Sequence, residues 1–165
     1  MTNSDFFVER WESEQAAFRK VLAALPADKL EYCPHERSSK AGNLAWQLVT
    51  EQEGVADILK SNRTVYEVTA CPDHEGILAA WDKATAAVRE AIKTKDEAKW
   101  EEEAEFIYGG VPAWKDKQKN MLWGFLFDMV HHRGQLSSYI RPMGGKVPSI
   151  YGPSGDSEQH EAPSA

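Results

Sequence analysis

Cysteine is scarce: Cys33 and Cys71 are two among 165 residues, and no CxxC or other metal-ligand spacing joins them. That excludes a disulfide framework and a thiolate zinc site, and a reducing cytoplasm with both thiols free is the expectation. Basic residues are few, 19 Lys and Arg against 26 Asp and Glu, for a net charge of -7. A surface of that sign disfavours nucleic acid and anionic membrane as partners. No apolar run approaches the roughly 18 residues that span a bilayer, and Met1 to Phe7 lacks the basic-then-apolar order of a secretory signal. There is no GxSxG, no phosphate loop and no GxGxxG, and neither cysteine has a neighbouring base. Serine-nucleophile, P-loop and dinucleotide chemistries therefore have no support.

What is present is a soluble composition, 42% hydrophobic and 27% charged, with strong helical periodicity. One domain is expected at this length. The first helix is predicted over Ser4–Leu25, capped by Ser4 and stopped by Pro26, with Phe7, Trp11, Phe18, Leu22 and Leu25 as its stripe. After a loop through Ser39, a second helix follows over Lys40–Ser61, capped by Ser38 or Ser39. A short extended stretch is expected near Thr64–Thr69, then a third helix over His74–Lys93 capped by Asp73. Phe106-Ile107-Tyr108 before Gly109-Gly110 reads as a short extended piece and a turn, and a long helix over Lys115–Met143 completes the set. The predicted class is all-α: a four-helix bundle over 1–152 with long crossover connections, followed by a disordered tail over 153–165.

The chemistry concentrates on two helices. Asp128 and His132 are four residues apart on the last helix, at or beside its apolar stripe. Gln47 and Glu51 have the same spacing on the second. If these helices pack, four polar side chains meet inside the bundle, as metal sites in bundles do. His and Asp are good ligands for Zn, Ni, Fe or Mn, and Gln is a weaker oxygen donor. The other reading makes His132 a hydrogen-bonded interior residue oriented by Asp128, with Gln47 satisfying a neighbour and Glu51 at the solvated edge. His131 is turned about 100° from His132 and is expected at a flank. His35 lies in a loop, and Trp46 beside Gln47 could line a pocket or a subunit interface.

Three segments carry a resemblance. They are Arg37-Ser-Ser-Lys-Ala-Gly-Asn-Leu-Ala-Trp-Gln-Leu-Val-Thr-Glu51, Asp128-Met-Val-His-His-Arg-Gly-Gln135, and Tyr139-Ile-Arg-Pro-Met-Gly-Gly-Lys-Val-Pro-Ser-Ile-Tyr-Gly152. In order and spacing they resemble the DinB/YfiT-like family of bacterial four-helix bundles over about residues 5–152. The resemblance implies a divalent-metal site of three His, whose positions here hold Gln47, Asp128 and His132. It further implies a homodimer and, in some relatives, metal-dependent transfer of a low-molecular-weight thiol to a small-molecule substrate. Arg133 and Gln135 would then serve packing. The alternative is a non-catalytic small-ligand-binding or stress-response module.

Overall fold

The structure is a computed structural model that describes residues 1–157. Helix α1 spans Asn3–Ala23, α2 Ala41–Ser61, α3 His74–Lys93 and α4 Gln118–Ile140. Helices α1 and α2 each pack against both α3 and α4. Their apolar stripes meet in one core, with Phe7, Trp11, Phe18, Leu48, Ile58, Ile77, Trp81, Met121, Leu122 and Met129 all but sealed from solvent. Each such side chain contributes about 1.5–3 kcal/mol by leaving water. A polar chain crosses this core: Trp11 Nε1 donates to Gln52 Oε1 at 3.2 Å, and Gln52 Nε2 donates to Gln15 Oε1 and Thr85 Oγ1. Every buried amide there has a partner, as burial demands.

The helix ends are set by local chemistry, not always by the residues expected. Thr2, rather than Ser4, caps α1, in a reciprocal box with Asp5. Ser4 lies inside the helix and is buried. Neither Ser38 nor Ser39 caps α2; its N-cap is Lys40, which makes no side-chain cap bond. Asp73 caps α3 as expected, accepting from Gly76 N at 2.8 Å.

The all-α expectation is corrected by a three-stranded sheet in the order β1-β2-β3. Strand β1, Arg63–Tyr66, leaves α2 through Asn62, which adopts the left-handed conformation at φ 57°. It pairs in parallel with β2, Glu103–Tyr108, and β2 pairs antiparallel with β3, Val111–Lys117. Gly109 and Gly110 turn that hairpin at φ 59° and 81°, the pair of positive angles a two-residue hairpin turn requires. Lys115 to Lys117 are therefore strand, and α4 begins at Gln118. The sheet leans on α2 and α4, which places its aromatic face beside the polar cluster described below.

Past α4 the chain folds back. Gly144 takes φ 88°, and Asp156 accepts from Arg141 Nε and Val147 N at 2.9 and 2.8 Å. Residues 158–165 of the expected tail lie outside the described residues.

Candidate metal centre and adjoining aromatic pocket

Helices α2 and α4 pack directly, so the two i, i+4 pairs do meet. Gln47 Nε2 donates to Glu51 Oε1 at 2.9 Å, and His132 Nδ1 lies 3.0 Å from the same oxygen. Asp128 Oδ2 stands 3.8 Å from His132 Nδ1. Gln47 Nε2 is also 3.3 Å from His132 Nδ1 and 3.4 Å from Nε2. All four candidate side chains thus form one cluster.

Their environments differ. The Glu51 side chain is 9% exposed and that of Asp128 55%. Both donors to Glu51 use Oε1, and among the described residues Oε2 has no hydrogen-bond partner although it is buried. An unpartnered buried carboxylate oxygen costs about 1–3 kcal/mol or more for a charged group. Burial pushes the Glu51 carboxyl up from its ordinary range, with the His132 hydrogen bond opposing. That hydrogen bond to Glu51 raises the His132 imidazole.

One ligand atom each from Glu51, Asp128 and His132 fall within 4.8 Å of one another. Two carboxylates and an imidazole are a donor set for zinc, iron or manganese. The orphaned Glu51 Oε2 is the atom a cation would satisfy, so these residues fit a divalent ion. Gln47 stands beside that set as a hydrogen-bond donor to Glu51. Its amide, turned over, would offer oxygen in place of nitrogen.

Arg133 points away from the cluster. It is 2% exposed, pairs through Nη1 with Glu14 and through Nη2 with the Tyr151 hydroxyl, and lies 4.6 Å above the Phe18 ring. It thereby ties α4 to α1 and to the returning C-terminal segment, which holds the helix carrying His132 in place. His131 and His35 are exposed, and His74 Nε2 bonds the Leu22 carbonyl. Trp46 Nε1 donates to Thr69 Oγ1 at 2.8 Å.

The cluster opens into a cavity of about 500 Å³ lined by Gln47, Glu51 and Asp128 together with Tyr66, Phe106, Trp114 and Phe125. That size suits a small organic molecule. Half of its wall comes from the sheet, through Tyr66, Phe106, Tyr108, Ala113 and Trp114, and the rest from α2 and α4. The extended pieces expected near Thr64–Thr69 and at Phe106–Tyr108 carry Tyr66, Phe106 and Tyr108 of this lining, whereas Trp114 sits on a strand the sequence pattern does not announce.

The model of the DinB family matches residues 1–162. The chain belongs to the DinB family. YrdA of Bacillus subtilis (strain 168), an uncharacterized protein, is 27% identical over 156 residues, 90% of this chain and 88% of YrdA. The crystal structure of a DinB-like protein from Bacillus cereus ATCC 10987 superposes with TM-score 0.71 at 22% identity, covering 88% of this chain and 95% of that one. That of the DinB-like protein YjoA from Bacillus subtilis gives 0.65 at 18%, covering 84% and 92%. At these identities the likeness is one of fold, and it confirms the DinB-like bundle. Among the described residues no helix is long and apolar enough to cross a membrane.

Proposed function

We propose that this DinB-family chain holds a divalent metal ion, of the class Zn, Ni, Fe or Mn, through Glu51, Asp128 and His132, and uses it to transfer a low-molecular-weight thiol to an electrophile. The observation that carries the metal reading is the buried, unpartnered Glu51 Oε2 beside Asp128 and His132. The ligand set differs from the expected Gln47, Asp128 and His132 by Glu51, which is the stronger donor and the more deeply buried of the α2 pair. Gln47 donates to Glu51 Oε1 and so steers the carboxylate.

A divalent ion, when bound, lowers the pKa of a thiol or water and presents the anion at neutral pH. The chain's own residues do the rest. Gln47 and His132 fix the rotamer of Glu51. Tyr66, Phe106, Trp114 and Phe125 enclose the substrate's apolar body and displace water from the reacting atoms. In the transfer, the sulfur bonds the electrophilic carbon, the leaving group departs with the bonding pair, and the thiol proton passes to solvent. The free thiols Cys33 and Cys71 fit a cytoplasmic setting, and a homodimer follows from the family resemblance.

The test is consumption of cysteine or glutathione by 1-chloro-2,4-dinitrobenzene, followed by absorbance with zinc-, nickel- or manganese-loaded protein. Acceleration lost in His132→Ala supports the reading; a rate equal to the protein-free rate with every metal refutes it. One observation favours a second reading. Glu51 Oε1 already pairs with His132 at 3.0 Å, so the cluster is partly satisfied within the protein, and the cavity would then serve as a non-catalytic small-ligand site.

A further inference from the structure

The wall of the cavity has a chemistry beyond that of the metal cluster. Five rings form an unbroken arc. Centroids run from Tyr108 to Tyr66 at 5.8 Å, Tyr66 to Phe106 at 6.3 Å, Phe106 to Phe125 at 6.0 Å and Phe125 to Trp114 at 6.3 Å. All five line the cavity, and so do the carboxylates of Glu51 and Asp128. Among the described residues that line it there is no lysine or arginine.

Aromatic faces are the negative part of a ring quadrupole and attract cations, most strongly when water is excluded. An anion entering here would meet aromatic rings and two carboxylates with no basic side chain to pair with. A neutral apolar molecule would fill the volume yet leave Glu51 Oε2 buried without a partner. An organic cation answers both demands.

Trp114 is seated for this purpose by an absence. A Cβ on residue 124 would stand 2.5 Å from Trp114 Cη2. Only glycine at that position lets the indole lie against α4 as part of the wall.

We propose that this cavity binds an organic cation, an ammonium group carrying an apolar or aromatic body, with the ammonium against Glu51 and Asp128 and the body within the aromatic arc. The site needs no metal ion. A metal and an ammonium would share the same two carboxylates, so each weakens the other by the same factor.

The experiment is calorimetric titration of the intact chain, stripped with EDTA, with benzylammonium, benzyl alcohol and phenylacetate. The cation should bind at least tenfold more tightly than the alcohol, with phenylacetate weakest. Trp114→Leu and Glu51→Gln should each weaken the cation about tenfold, with circular dichroism unchanged. Tyr108→Leu, at a half-exposed position, gives a smaller loss in the same direction if either of those variants fails to fold. A cation that binds no better than benzyl alcohol, or whose affinity survives these substitutions, overturns the proposal. Zinc loading to one ion per chain should weaken the cation, and unchanged affinity would overturn its placement at Glu51. A protein that takes up none of zinc, nickel, iron or manganese yet binds the cation refutes the metal reading and leaves this one intact.

Discussion

Arg133→Met should be among the most costly single changes outside the apolar core. The guanidinium is 2% exposed, pairs with Glu14, whose side chain is 18% exposed, and stands 4.6 and 5.0 Å from the Phe18 and Tyr151 ring centroids. Removing one partner of a fully buried pair costs about 3–5 kcal/mol, because the other charge is left without compensation. Glu14 keeps some contact with water and still accepts from the Tyr151 hydroxyl at 2.9 Å, so about 2–3 kcal/mol is expected here. For a chain of this size each kcal/mol lowers Tm by about 2–4 °C, which gives a drop of about 4–12 °C. Urea and thermal unfolding followed by circular dichroism supply both numbers. Met nearly conserves the Arg stem, so packing over Phe18 largely survives and the loss reports the charge. The double variant Arg133→Met, Glu14→Leu removes both charges and should be more stable than Arg133→Met alone. A single variant within about 0.5 kcal/mol of the parent, the range of an ordinary surface change, would refute the reasoning. So would a double variant that sums the two single losses.

Other predictions follow from the same geometry. The Asp5 carboxyl is held at about 2 by the Lys95 ammonium and by Thr2. Its stabilising effect is therefore complete above the ordinary 3.8 and is lost as pH falls through about 2. Carboxyl NMR titration should find it there, and Lys95→Met should move it up toward 3.8; an Asp5 that titrates at 3.8 in the parent chain contradicts the contact. Gln52→Leu strands the Trp11 indole N–H, Gln15 and Thr85 in the core and should cost about 2–4 kcal/mol in urea unfolding; a neutral result would mean that water replaces the amide. Gly124→Ala gains up to about 1 kcal/mol of helix propensity but must displace Trp114. A changed near-UV spectrum with no net stabilisation is expected, and the full propensity gain with an unchanged spectrum would show that the indole is not held there.

The helices were legible because their apolar stripes are long and their burial one-sided, so α2 and α3 lie within a residue of their expected bounds. Of the hairpin, the extended Phe106–Tyr108 and the Gly109-Gly110 turn were legible, but β3 was not. Every residue of β3 is exposed or half-exposed, so no period-2 burial marks it, and Pro112 within it argues against a strand. The helical stripe of α4 consequently reads as starting at Lys115, whereas the helix starts at Gln118. Missing β3 hid the aromatic wall, since Trp114 becomes part of a cavity only when the hairpin folds it over Gly124. At the polar cluster, spacing put Asp128 and His132 on one face and offered both Gln47 and Glu51 opposite them. Which of those two sits deeper depends on how α2 is rotated against α4, and one turn of spacing carries no information about that. Only the packed structure leaves Glu51 Oε2 buried and without a partner.

The central claim, that Glu51, Asp128 and His132 form a cation site, is tested most directly by metal content. The untagged chain, stripped with EDTA, would be dialysed against zinc, nickel, iron or manganese and measured by inductively coupled plasma mass spectrometry. The account predicts about one ion per chain for at least one of these metals, lost in both His132→Ala and Glu51→Gln while the fold persists. No retained ion with any metal, or equal retention in both variants, would contradict it.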